Sequence, residues 1–239
     1  MSLHIFIGTH FPEIRQCILS VHETSGAEAS MLFWPDDLPA GKPADGLTRI
    51  PYQACRLLPA DLPQDPSRQI FIVVDPRLPL IRELHELAAL LRSQQLEPTR
   101  ILTCVDTLAA STSTAMRTWL DAAIYHSDAV LLGNRSTTAK SFIRDFQQGF
   151  QKRCYPCLFQ LLKGNGVPED PTSLLLPDTR RLTLIFDLPE SPPAELPSMV
   201  IEASCDLDAE DPEPDPYLSP EGDFLQLPEI VAHLVTETP

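Results

Sequence analysis

Long apolar runs, glycine and C-terminal basic residues are all scarce in this chain. No segment of the 239 residues reaches the ~18 consecutive apolar residues that a membrane-spanning helix requires. The first residues show no cationic start followed by an apolar stretch, so we expect no signal peptide and a cytoplasmic protein. Glycine occurs 9 times, whereas proline occurs 25 times, about twice its usual share of ~5%.

Basic residues are missing from the last quarter of the chain, which therefore carries almost all of the net charge. The formal net charge of −15 comes from 18 basic and 33 acidic residues. Residues 182–239 hold 14 of the acidic residues and no Lys or Arg, which leaves 18 basic and 19 acidic residues in 1–181. This balance argues against a nucleic-acid backbone or an anionic membrane as the general partner. It still permits a local basic site.

The six cysteines show no disulfide framework or paired metal spacing. They are scattered through a chain that is large enough to fold without cross-links, so we expect reduced thiols. Cys154 and Cys157 form the only C-x-x-C motif. It follows a predicted helix and leads into an apolar run, whereas a redox motif opens a helix after a strand. Structural thiols are therefore the favoured interpretation, and these two residues are only weak candidates for a metal or redox site.

Short apolar runs alternate with segments of helical periodicity. Runs at 69–75, 100–106 and 128–133 are rich in β-branched and other apolar residues, as expected of strands covered on both faces. Apolar residues at helical spacing follow each of them. This alternation predicts an α/β fold with a doubly wound, mostly parallel sheet and helices on both faces. Further strands are predicted at 3–8, 30–34, 47–54, 157–162 and 181–186.

The chain divides into three regions. Residues 1–188 contain the predicted α/β domain. Residues 189–224 include Asp-Ala-Glu-Asp-Pro-Glu-Pro-Asp-Pro at 208–216, where proline and like-charge repulsion favour an extended, flexible linker. Residues 225–239 have apolar residues at helical spacing and are predicted to form a short C-terminal helix or a tail.

Polar or turn residues follow the central strands, at the edge where doubly wound proteins bind ligands. They could equally serve as turn formers and helix caps. As a set they define a candidate ligand cleft: Gly8, Thr9, His10, Glu13, Arg15, Asp75, Asp106, Asn134 and Arg135. The sequence indicates no confident metal site or catalytic residue among them.

The order of landmarks along residues 1–165 matches a known pattern. Ile70–Pro79 reads as an acidic strand end with a Pro-containing switch, Thr103–Thr107 as a Val-Asp strand end, and His126–Thr137 as a guanine-reading strand in which Asn134 is the asparagine. In these features the chain resembles P-loop GTPases of the CobW type, a class of metal-chaperone GTPases. The resemblance implies a P-loop NTPase-like fold, with GTP and magnesium as cofactors only if the site is intact.

The motifs that would bind the nucleotide are replaced. A phosphate loop reads G-x-x-x-x-G-K-[ST], but from Gly8 onward Glu13, Ile14 and Arg15 stand where its second Gly, its Lys and its Ser/Thr would be. Pro12 also removes one backbone donor. A carboxylate ~4 Å from a phosphate charge costs on the order of 4 kcal/mol at an effective dielectric constant near 20. Thr137 stands in place of the aspartate that reads guanine.

These replacements predict a degenerate GTPase-like domain: a non-catalytic binding or regulatory module with a protein partner and no confident cofactor. GTP and magnesium could bind only at a degenerate site. The alternative is a small-ligand enzyme, or a non-standard nucleotide binder, in which His10, Asp75, Asp106 and Asn134 converge around the ligand. A third possibility is a partner-dependent subunit whose acidic tail docks to a basic surface.

Overall fold

The structure, a computed structural model, describes most of the chain. The described residues are 2–39, 41–42, 44–53, 62, 65, 68–188, 215–219 and 222–236. Most of the predicted linker, including Cys205, lies outside them, as does Cys55. The prediction of a flexible linker therefore stays a prediction.

Seven strands form one parallel sheet. They are β1 (Ser2–Gly8), β2 (Ser30–Pro35), β3 (Leu47–Tyr52), β4 (Gln69–Val73), β5 (Arg100–Asp106), β6 (Ala129–Gly133) and β7 (Leu158–Leu161). Their order is β3-β2-β4-β1-β5-β6-β7, and every ladder between them is parallel. All residues of β4, β5 and β6 are buried, as their apolar sequences require. The predicted doubly wound α/β fold, with a parallel sheet and helices on both faces, is confirmed.

Helices cover both faces of the sheet. They are α1 (Phe11–Ser25), α2 (Leu80–Ser93), α3 (Thr107–Thr112), α4 (Thr114–Tyr125) and α5 (Lys140–Lys152). The buried stripe of α1 packs on one face, whereas α2, α4 and the end of α5 pack on the other. None of the described helices is long and apolar enough to cross a bilayer.

The segment 181–186 was predicted as a further strand, and that prediction is wrong. Burial alternates over its first four residues, with Arg181 and Thr183 buried and Leu184 70% exposed, but the buried Phe186 breaks the alternation. However, the Leu182 amide donates to the carbonyl of Tyr125 at the end of α4 instead of to a strand. The inward residue Arg181 bonds Asp128, directly before β6. An ion pair, not a sheet ladder, therefore fixes this segment.

Residues 222–236 form no α-helix. A single 3₁₀ turn, Val231–His233, is flanked by extended chain. Pro228 lies in the middle of the apolar spacing and biases Leu227 away from helical geometry. The segment runs along the body and ends beside β1, where its last described residues join the candidate site.

Candidate functional site

The strand order places a crevice at the carboxyl end of β1. From β1 the chain continues through α1 to β2 on one side, whereas from β5 it continues through α3 and α4 to β6 on the other. Chain connections that diverge from adjacent strands leave a crevice between them, which is where doubly wound proteins bind ligands. The first turn of α1 borders this crevice.

The backbone amides in the first turn of α1 are all committed to protein acceptors. The Phe11 amide donates to the Val235 carbonyl at 2.9 Å. The Glu13 amide donates to Nδ1 of His10 at 3.3 Å, and the Ile14 amide donates to the His10 carbonyl at 3.1 Å. Pro12 has no amide hydrogen. A helix start leaves donors such as the Phe11 and Glu13 amides open to an anion, and here both are bonded within the chain, while the Ile14 bond is the first regular bond of the helix.

The C-terminal segment covers the start of α1. Besides accepting from Phe11, Val235 donates its own amide to the Thr9 carbonyl at 2.9 Å, so that it pairs with the β1–α1 connection in parallel. The contact joins residues more than 220 positions apart in the sequence. Two reciprocal backbone bonds therefore hold the chain's last described residues over the crevice.

Glu13 occupies the space between α1 and β6. Its Oε1 accepts from the Asn134 amide at 2.9 Å, and its Oε2 lies 3.8 Å from Nδ1 of His10. A Cβ at Gly133 would overlap this carboxyl group, so glycine is required there for close packing. Burial raises the pKa of Glu13, against the lowering effects of His10 and of the Asn134 amide, and the nearby Asp106 raises it further.

Of the four polar side chains expected to converge, two are in direct contact. Nδ2 of Asn134 donates to Oδ1 of Asp106 at 3.0 Å. The same Asp106 oxygen caps α3 through the amides of Leu108 and Ala109. Asp75 instead forms an ion pair with Arg77 at 2.6 Å. Asp75 and Asp106 thus act as turn and cap residues, the structural role that the sequence left open.

A cleft of about 870 Å³ lies beside the closed crevice. Of the predicted residues, His10, Glu13, Arg15, Asn134 and Arg135 line it, whereas Gly8, Thr9, Asp75 and Asp106 are not among the described lining residues. The remaining walls come from three elements that the sequence did not indicate: the loop after β2, the turn after β7 and the C-terminal segment. Their lining residues include Gly41, Lys163, Gly166 and Thr236.

The turn after β7 carried a signal that sequence reasoning could have used. Lys163-Gly164-Asn165-Gly166 is a Gly-Asn-Gly turn, and the Gly166 amide donates to the Lys163 carbonyl at 2.8 Å. Gly166 has φ +79° and lies against α1, where a Cβ would come within 3.2 Å of the Glu13 Cα. Glycine therefore lets the turn close over the start of α1.

The cleft is cationic. Its charged lining residues are Arg15, Arg135 and Lys163 against the single carboxyl group of Glu13. Arg15 and Lys163 form no ion pair with any residue that the structure describes, and Arg135 reaches only the half-exposed Glu169, at 3.9 Å. Positive charge thus collects in one part of a chain whose net charge is −15.

The cysteines contribute little to this region's chemistry. Cys17, Cys104, Cys154 and Cys157 have free thiols. Burial raises the pKa of Cys157 to about 11, which disfavours the reactive thiolate that a redox motif needs. Among the described ranges no group of three or more His, Cys, Asp or Glu side chains could hold a metal ion. The Cys154–Cys157 pair is therefore not completed by other described ligands.

Comparisons with known proteins give one match. No protein-family model matches the chain. No curated protein matches it either. Among solved structures, the crystal structure of the Zn(II)-bound YjiA GTPase from E. coli is similar, with 11% sequence identity and a TM-score of 0.44. The match covers 74% of this chain and 61% of that protein, so the chain spans less than two thirds of its length.

Proposed function

We propose that this protein is a non-catalytic binding or regulatory module whose fold resembles that of a GTPase. The observation that carries the proposal is the state of the first turn of α1. Its amides bond Val235 and His10, and a carboxyl group from Glu13 fills the adjoining space. A phosphate loop requires the opposite arrangement, with free amides and no anion nearby.

The side chains that would assist nucleotide chemistry are also engaged elsewhere. Ile14, in the place of the phosphate-loop lysine, is fully buried in the core. Arg15, in the place of the magnesium-binding hydroxyl, donates to the Lys42 carbonyl. Thr137, in the place of the guanine-reading aspartate, is exposed and offers a hydroxyl that lies 3.3 Å from Oδ1 of Asn134. These contacts support loss of phosphate, magnesium and base recognition together.

Nucleotide titration tests this proposal. GTP, GDP and ATP are titrated into the full chain with and without Mg²⁺, and released phosphate is followed over hours. We expect no turnover and no gain in affinity from Mg²⁺, because Arg15, a cation, stands in the place of the magnesium-binding Ser/Thr. Micromolar, Mg²⁺-dependent binding accompanied by turnover would overturn the proposal.

The 870 Å³ cleft favours small-ligand binding as the second candidate function. Its size suits a small metabolite, and cavities of about 300–1,000 Å³ are typical of such sites. The enzyme version of this candidate has less support, because Asp75 is paired with Arg77 and Asp106 caps α3. The protein partner and the role of the acidic segment stay predictions. Salt-sensitive partner binding that is lost on deletion of residues 204–223 would support them.

A further inference from the structure

We propose that the cleft binds a small multivalent anion, an organic molecule with two or more carboxylate or phosphate groups, between the guanidinium groups of Arg15 and Arg135. This inference rests on the proposed binding function of the cleft. The inference names the class of ligand. Side chains would bind this ligand, because the backbone amides in the first turn of α1 are already bonded within the chain.

Arg135 is oriented without being neutralised. Its Nε and Nη2 donate to the Leu162 carbonyl at 3.2 and 2.8 Å. A carbonyl fixes the plane of the guanidinium group but carries no full charge. The carboxylate of Glu169, at 3.9 Å, is 54% exposed and therefore strongly screened. Arg135 thus keeps donors and charge for a ligand in the cleft.

Arg15 is held in the same manner from the opposite wall. Its Nη2 donates to the Lys42 carbonyl, and its guanidinium lies against Gly41. Gly41 has φ +67°, and a Cβ there would come within 2.7 Å of the Arg15 Nε. Glycine therefore leaves the room that the guanidinium occupies. Planar, fixed guanidinium groups are the side chains best suited to carboxylate and phosphate groups.

Lys163 adds a third positive charge at the rim. The turn that carries it is closed by two backbone bonds with Val167 and Gly166, each of 2.8 Å. Its position is therefore set by the turn, whereas its exposed side chain is free to follow a ligand. Three cations around one cavity favour a ligand with more than one negative charge.

Other arginines in the described body contrast with this set. Arg77, Arg82, Arg144, Arg153 and Arg181 each bond a carboxylate at 3.3 Å or less. Among the described residues Arg49, Arg92 and Arg117 likewise form no ion pair, but of the arginines without a close carboxylate it is Arg15 and Arg135 that line the 870 Å³ cleft. Glu13, the one carboxyl group in the cleft, bonds the Asn134 amide instead of either arginine. An anionic ligand would supply the missing countercharge.

Isothermal titration calorimetry of the full chain, without Mg²⁺, tests the proposal. The probes are citrate for the carboxylate arm and pyrophosphate for the phosphate arm, and succinamide is the uncharged control. The variants are Arg135→Gln, Arg15→Gln and Glu13→Gln. The matched control is Arg144→Gln, on the exposed face of α5 and outside the cleft. Far-UV circular dichroism and thermal melting confirm that each variant is folded.

We expect saturable binding of citrate, pyrophosphate or both, weakened about tenfold to a hundredfold by each cleft arginine substitution and unchanged by Arg144→Gln. Glu13→Gln should tighten binding, because it removes the one carboxylate among the described lining residues of the cleft. Binding of citrate alone would indicate a carboxylate ligand, and binding of pyrophosphate alone would indicate a phosphate ligand. Binding of neither probe below about 1 mM, or binding that Arg15→Gln and Arg135→Gln leave unchanged, would overturn the inference.

The two proposals fail on different readouts. GTP turnover that persists in Arg15→Gln and Arg135→Gln would overturn the non-catalytic function and leave the anion site untouched. Absence of citrate and pyrophosphate binding, together with absence of GTP turnover, would overturn only the anion site.

Discussion

Arg181 and Arg15 lie at opposite edges of the same sheet and are partnered in opposite ways. At the amino edge, the Arg181 side chain is 2% exposed and bonds two carboxylates, those of Asp128 and Asp187. At the carboxyl edge, Arg15 bonds a single backbone carbonyl and faces a cleft. A neutralised cation supports the fold, whereas a cation held by a carbonyl keeps its charge for a ligand. The two edges should therefore respond differently to substitution.

The largest effect is expected from breaking the amino-edge pair. Asp128 is fully buried and also accepts the amides of Ile101 and Arg180 at 2.8 and 2.7 Å. Asp128→Ala should lower the free energy of unfolding by about 3–5 kcal/mol, because it leaves buried donors and a buried cation with fewer partners. Urea denaturation measures the change. Asp145→Ala, which removes an exposed partner of Arg144, is the control and should cost less than about 1 kcal/mol.

Equal costs for Asp128→Ala and Asp145→Ala would contradict the role assigned to the amino edge. Buried and exposed pairs would then contribute alike to the free energy of unfolding.

The next effect concerns the closed crevice at the carboxyl edge. Gly133→Ala should cost about 1–3 kcal/mol, since the new methyl group overlaps the carboxyl group of Glu13. Glu13→Ala in the same chain should restore most of that loss by making room. Thermal unfolding of the two single variants and the double variant completes the cycle. Additive losses would show that Glu13 does not fill the space beside Gly133.

The dependence of the free energy of unfolding on pH separates the buried interior from the cleft, because it reports buried histidines that lie away from the cleft. Burial lowers the pKa of His126 to about 3 and that of His4 to about 4. Because the unfolded chain binds protons more readily, stability is fully present above pH ~6.5 and is lost as pH falls towards these values. Between pH 6.5 and 5 each histidine should remove about 2 kcal/mol from the free energy of unfolding.

His126→Phe should eliminate the contribution of His126 to this acid sensitivity, because phenylalanine does not titrate. The substitution breaks no described hydrogen bond, since neither ring nitrogen of His126 has a partner among the described residues. Urea midpoints measured at pH 7 and pH 5 provide the test. If the variant and the parent protein lose the same stability on acidification, His126 is not the responsible group.

The smallest effect on stability is expected from the cleft itself. Arg15→Gln should change the free energy of unfolding by no more than about 0.5 kcal/mol, because its guanidinium group neutralises no described carboxylate. Thermal melting at neutral pH is sufficient to detect a larger change. A loss of several kcal/mol would assign Arg15 to the support of the fold and remove the contrast with Arg181.

The sequence predicted the sheet because its strands are short apolar runs that must be covered on both faces. It also predicted that Glu13 opposes phosphate binding, and Glu13 does lie in the crevice, bonded to Asn134. The pairing of Val235 with the β1–α1 connection was beyond reach, because a two-bond backbone contact across the whole chain leaves no local pattern.

The sequence predicted only part of the candidate cleft, and the rest was missed for a similar reason. Strand order brings His10 and Asn134 together, and strand ends are visible in the sequence. The orientation of Arg15 depends on Gly41, and Lys163 depends on a turn after the edge strand. The same reasoning misread 181–186, since a short apolar run does not reveal that Arg181 turns inward to Asp128.

The central claim is that the Phe11 and Glu13 amides at the start of α1 are already bonded within the chain, so that they do not bind nucleotide phosphates as a phosphate loop does. Amide hydrogen exchange at Phe11 and Val235, followed by NMR with and without GTP and Mg²⁺, tests it most directly. The account predicts slow exchange at both amides and no change on addition of nucleotide. Loss of protection at Val235 together with altered exchange at Phe11 would show that nucleotide displaces the C-terminal segment, and it would contradict the claim.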